Sequence, residues 1–242
     1  MMSGILSPAF LQAAGRAGKT PKPEFSGIKL FTVMTDPEII SITGTDIVVK
    51  TIKSGVAHED TYASLSGDTL SISADKNTEI VIVGSIISLE LGTNSYFSSI
   101  LAQNTSVTNF DCSDSYALQE LNLSGNTALT NLECYRCYSL KKLDFSENTT
   151  LDSVDCGNDF ALRELNLSKN TALTNIDMTG CDAIQVIYCL ATNENVSDAI
   201  ANAITNATAA DGTVYTDSAG AYYSTIADAA TAKGWTIEQL QA

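Results

Sequence analysis

Asp111, Glu133, Asp155 and Asp177 recur at a fixed interval of twenty-two positions. Carboxylates stacked in one column can attract a basic protein segment, hold a cation or accept hydrogen bonds from glycan hydroxyls. Neighbours about 5 Å apart repel by roughly 1 kcal/mol in water, and by more near a protein surface. An equally consistent reading is that acids on the exposed face of a repeat serve solubility. Two flanking columns keep the same interval: Asn109, Asn131, Ser153 and Asn175 on one side, Ser113, Tyr135, Gly157 and Thr179 on the other. The candidate binding residues are therefore Asp111, Glu133, Asp155 and Asp177 with Asn109, Asn131, Asn175 and Tyr135.

Patterns for catalysis or metal binding are sparse. Cys134 and Cys137 form the only CxxC, half of a zinc site at best, with no second pair or nearby histidine. The repeat interval explains Cys134 better, as a core position shared with Cys112 and Cys156. Disulfide geometry between in-register strands is poor, so reduced, packed cysteines are expected, which fits assembly in the cytosol. His58, in VAHEDTY, is the single histidine, so a Ser-His-Asp or Cys-His mechanism would rest on it alone. No glycine-rich phosphate loop follows a strand. The expectation is a protein that is not an enzyme and uses no metal or cofactor.

The element that must position the acids is a repeat unit half as long as that interval. Its first place is Val107, Leu118, Leu129, Leu140, Leu151, Leu162, Leu173 and Ile184, always eleven positions apart. The fourth and sixth places are apolar too, as in Leu121 and Leu123, Leu132 and Cys134, and Leu143 and Phe145. Each unit thus reads LxxLxLxxN or a relative, a short strand with alternate residues inward followed by a turn. Units alternate in kind. Asn104, Asn126, Asn148 and Asn170 hold the ninth place of every other unit, and Cys112, Cys134, Cys156 and Met178 hold the sixth place of the rest. The expected coil therefore joins two unlike units, with an inward Asn ladder at one corner and a cysteine ladder on one wall. Stacked carboxamides there would donate and accept between coils.

The strings LNLSGNTALTNLEC and LNLSKNTALTNIDMTGC resemble the leucine-rich repeats of a bacterial surface-protein family built on NTALTxLxC. The resemblance covers roughly residues 86 to 189. It implies a parallel-stranded solenoid used for protein or glycan recognition, without catalytic residues. Cys137 and Cys181 stand where that family often has Asn.

The expected fold class is a β-rich repeat solenoid (leucine-rich repeat) with an N-terminal β cap and a C-terminal α/β cap. Residues 1–26 read as an extended arm: the first 23 carry Arg16, Lys19 and Lys22 and no acid. Residues 27–84 read as a small antiparallel β module, with runs such as EIISI and DIVVKTIK separated by turn signals including Gly-Thr. Residues 85–190 are the solenoid, opening on a degenerate unit with Ile86, Leu89, Leu91 and Asn94. Residues 191–242 form the C-terminal cap. There Val196, Ile200, Ile204 and Ala207 share a helical face, and a second helix runs from Ser224, a candidate N-cap, to Gly234. Trp235 reads as cap core rather than a ligand platform.

The net charge of -15 disfavours contact with phosphate backbones, so no nucleic-acid partner is expected. No run approaches the ~18 apolar residues of a membrane span. The N-terminal stretch has its basic residues after its apolar patch, and Pro8 interrupts that patch, the reverse of a secretory signal. The resulting expectation is a structural or binding protein anchored through residues 1–26 in a larger assembly, its partner a protein or another copy. A bacteriophage decoration or fibre protein assembled in the cytoplasm fits this. The alternative is an exported cell-surface adhesin that binds protein or glycan.

Overall fold

The computed structural model describes residues 27–32, 38–53, 56–72, 78–91, 97–103, 106–190, 193–217 and 222–240. Arg16, Lys19, Lys22, Asn94 and Asn104 lie outside the described residues. The described residues are mostly β-strand, with a curled sheet and two helices, an architecture compatible with a β-rich, repeat-built solenoid.

Short strands centred on the fourth place of each unit build two walls. The first wall runs through β4 (Glu79–Leu91), β6 (Asn109–Asp111), β8 (Asn131–Glu133), β10 (Ser153–Asp155) and β12 (Asn175–Asp177). From β4 to β12 every neighbour is parallel and in register, and from β6 onward each step advances by one full coil. The second wall holds β5 (Phe97–Gln103), β7 (Glu120–Asn122), β9 (Lys142–Asp144), β11 (Glu164–Asn166) and β13 (Val186–Cys189). It pairs β5 with β7, β9 with β11, and β11 with β13; among the described residues no backbone ladder joins β7 to β9. Alternation does the rest: Phe110, Leu132, Val154 and Ile176 point inward from one wall, and Leu143, Leu165 and Ile187 from the other. With the first- and sixth-place residues they form one continuous buried cluster. Burying each Leu, Ile or Phe contributes about 1.5–3 kcal/mol, so short strands with few ladder bonds are held mainly by this interior.

At the N-terminal end, strands are long and antiparallel. β1 (Gly27–Thr32) lies between β4 and β5 and so joins the two walls. β2 (Glu38–Lys53) pairs along β4, and β3 (Val56–Ile72) covers β2. The first half of β2 pairs with the part of β4 that carries β6, and the second half with the part that carries β1. These strands therefore turn the corner between the walls without a break. Gly-Thr at 44–45, expected to be a turn between two strands, is instead the bend within β2. Its register slips there, Asp46 takes φ 54° and Gly84 opposite takes φ 136°. A side chain on Gly44 would drive its Cβ into the Ser85 carbonyl oxygen, so the bend requires glycine.

At the C-terminal end the two walls part. The second wall continues in parallel through β14 (Thr213–Thr216) and β15 (Thr236–Gln239). In the first wall, helix takes over: α1 (Glu194–Asn206) follows β13, and α2 (Tyr223–Lys233) follows β14. Asn193 caps α1, accepting from the Val196 N–H at 3.0 Å while its amide donates to the Leu173 carbonyl at 2.6 Å. Val196, Ile200, Ile204 and Ala207 are all buried. Gly234 ends α2 in the left-handed conformation, but Ser224 is not its N-cap: the helix already includes Tyr223, and Tyr222 before it makes no side-chain cap bond. Trp235 is buried, packs on Gly212, and donates from Nε1 to the Ala209 carbonyl at 3.1 Å.

The corners are chemically unlike. Asn148 Nδ2 donates to the carbonyls of Leu123 and Asn126, and Asn170 Nδ2 to those of Phe145 and Asn148. Among the described residues the Oδ1 atoms of Asn148 and Asn170 accept nothing, so these two carboxamides donate to backbone and do not also accept between coils. The opposite corner stacks Ser115, Cys137, Asp159 and Cys181, all buried. Cys137 and Cys181 donate from Sγ to the carbonyls of Cys112 and Cys156, as the amides do across the molecule.

Candidate binding wall

Each strand of the first wall turns its outer side chains to one face, and register makes them columns. Asp111, Glu133, Asp155 and Asp177 pair directly across β6, β8, β10 and β12. Glu90 on β4 pairs with Asp111 and makes the column five acids long. Counting regular units misses Glu90, although the degenerate unit around Ile86, Leu89 and Leu91 puts an acid at that place. Beside the column stand Asn109, Asn131, Ser153 and Asn175, with Asn131 Nδ2 donating to Asn109 Oδ1 at 2.6 Å and Asn175 Nδ2 to Ser153 Oγ at 3.5 Å. Tyr135 lies over Gly157, and Arg136 sits 4.7 Å from the Tyr135 ring centre while reaching Asp114 at 3.7 Å. All eight candidate binding residues thus share one face.

The aspartates also have a local structural task. Asp111, Asp155 and Asp177 each accept the backbone N–H two residues on, from Ser113, Gly157 and Thr179, at 2.7–2.9 Å. On the second wall Asn122, Asp144 and Asn166 make the same bond to Ser124, Ser146 and Ser168. An Asx turn therefore needs an oxygen at this place but not a charge. The first wall nonetheless uses acids throughout. Partial burial raises the pKa of both Glu133 and Asp155, and like charges add to it, from Asp111 and Asp155 for Glu133 and from Asp177 and Asp111 for Asp155.

The second wall carries a cation among its acids. Lys142 Nζ meets Glu164 Oε1 at 2.5 Å, and Asn166 donates to Asp144 at 3.0 Å. Tyr188 stacks on Tyr215 with ring centres 4.5 Å apart. At the turns beyond the cysteine corner, Tyr116, Tyr138 and Phe160 form another stack, at 4.9 and 5.1 Å, with Tyr138 and Phe160 exposed. Reading the apolar places alone hides this stack, because its members occupy a turn position.

The six cysteines are buried free thiols. A side-chain hydrogen bond with Cys137 and burial push Cys112 up, burial and Asp159 push Cys134 up, and a side-chain bond with Cys181 and burial push Cys156 up. Cys112, Cys134 and Cys156 are poor nucleophiles there. Among the described residues no cluster of three or more His, Cys, Asp or Glu is arranged to hold a metal ion. His58 is exposed on β3, 3.5 Å from Asp60. Among the described residues, no helix is long and apolar enough to cross a membrane.

No protein-family model, curated protein or solved structure matches the chain.

Proposed function

We propose that this is a non-enzymatic structural or binding protein of the leucine-rich-repeat type, with capping modules at both ends. It displays the first wall to a basic protein segment. The observation that carries the reading is the unbroken column from Glu90 to Asp177, five acids in register, three of which close turns that a neutral Asn closes on the second wall. Stacked like charges weaken a fold, and a fold that keeps them where Asn would serve is supporting something other than itself.

Residues 1–26, with Arg16, Lys19 and Lys22, supply the anchor to a larger assembly, such as a virion made in the cytoplasm. Deleting them is expected to leave a folded protein that no longer co-sediments with its assembly; unchanged co-sedimentation would refute the anchoring role. The wall is tested with D111N, E133Q, D155N and D177N combined, which keeps every Asx-turn acceptor. Binding to immobilised basic peptides should fall at least about tenfold, since each lost pair removes up to about 1 kcal/mol. Undiminished binding would reduce the column to a solvated face. The adhesin alternative would be favoured by an export signal encoded upstream of Met1.

A further inference from the structure

The first wall ends where strand gives way to helix, and it ends with its hydrogen bonds unfinished. Along the wall, backbone N–H groups reach from each repeat to the next: Cys112 to the Glu133 carbonyl, Cys134 to Asp155 and Cys156 to Asp177. A second file runs from Asp114 to Tyr135, Arg136 to Gly157 and Asn158 to Thr179. The next donors in these files are the N–H groups of Met178 and Gly180. No strand lies beyond them among the described residues, because the following stretch forms α1. Neither N–H has a hydrogen-bond partner among the described residues. Both residues line a cleft of about 570 Å³ between the β12 edge and α1. Asp177, Asp182 and Asp198 also line it, and none of its lining residues is a Lys, Arg or His.

We propose that this cleft takes up an extended, lysine- or arginine-bearing segment of another polypeptide. Two alternate carbonyls of that segment accept from Met178 and Gly180, as those of Asp177 and Thr179 do for the repeat before. Alternate carbonyls pointing one way are what an extended strand offers, and an open strand edge is the usual template for adding one. Three carboxylates without a facing cation select basic side chains. The β12 edge of a second copy is a poor occupant, since it would set Asp177 against Asp177. The inference goes beyond the acidic column and stands without it, because the donors and two of the three carboxylates belong to the cleft alone.

The test uses the full-length protein, isotopically labelled, and a blocked heptapeptide alternating Lys and Thr. The Met178 and Gly180 amide resonances should shift, and their hydrogen exchange should slow by about tenfold or more. Binding should weaken with salt. A matched Glu/Thr peptide should not bind. N202W, at an exposed cleft-lining position of α1, should abolish binding without lowering the unfolding temperature. D182N with D198N should weaken binding about fivefold. Failure of the Lys/Thr peptide to bind would overturn the proposal. So would binding that survives N202W or leaves both amides unchanged, which would place the peptide elsewhere on the acidic surface. Amides already protected without peptide would also overturn it, by showing that the chain fills its own cleft.

Discussion

Asp159 occupies the corner place that Asn126, Asn148 and Asn170 hold across the molecule, and it is fully buried. One oxygen accepts the Cys137 N–H at 2.7 Å, and the other has no partner. Burial first, then Cys137 and Cys181, push its carboxyl up to about 10, so the folded protein holds it as the neutral acid at pH 7. The unfolded chain releases that proton at about pH 3.9. A folded pKa above the unfolded one stabilises fully below the lower value, and the stabilisation is lost as pH rises towards the upper one. Stability should therefore decline from about pH 4 towards pH 10. D159N keeps the acceptor for Cys137 and should flatten most of that slope, leaving the smaller share of Glu133 and Asp155. At pH 8 it should be more stable than the parent by on the order of 5 kcal/mol. Urea unfolding at pH 5 and pH 8 checks this, and equal slopes for both proteins would show that Asp159 is ionised when folded. Backbone strain at one turn gives a second residue-scale prediction. Asp114, Arg136, Asn158 and Gly180 all take positive φ at the same place in successive coils, and Arg136 has neither glycine's freedom nor a short polar side chain. R136G should raise stability by about 1 kcal/mol in thermal unfolding. Neither feature was legible in advance. The ninth place of the cysteine-bearing half varies in chemistry from Ser to Cys to Asp, so a count of like residues passes over it.

At the scale of elements, the donor ladder of Asn126, Asn148 and Asn170 holds successive turns together by satisfying buried carbonyls. N148A takes from the Asn126 carbonyl its Asn148 donor and from the Leu123 carbonyl one of two side-chain donors, the other being Asn126 Nδ2, and should cost about 1–2 kcal/mol in chemical unfolding. The ladder was legible because one residue type, Asn, holds that place at a fixed interval. Its one-way character was not, since it depends on how the amides orient. The bent strands were legible only in part. EIISI and DIVVKTIK have strand composition, but Gly-Thr between them marks a turn as readily as a bulge, and only pairing with β4 decides. G84A tests that bend: at φ 136° its Cβ would stand 2.7 Å from the Asp46 carbonyl, so loss of soluble folded protein is expected. Helix α1 was clear from its apolar spacing, and α2 from Gly234, which ends it. The start of α2 was less so, because Tyr222, and not the better capping type Ser224, precedes it.

At the scale of the molecule, one geometric fact produces both the core and the candidate surface. In-register parallel strands stack like on like, so inward columns become a continuous interior and outward columns become a strip of a single chemistry. The acidic strip was readable from spacing alone for that reason, and Glu90 extends it where the pattern first degenerates. The terminal cleft was not readable, because it arises from a helix taking the place of a strand. The most direct test of the account compares the parent with the D111N, E133Q, D155N and D177N protein in two readouts, unfolding temperature and affinity for a basic peptide at low salt. A wall kept acidic for binding predicts a higher unfolding temperature together with lost affinity. An unchanged or lower unfolding temperature with affinity intact would contradict it.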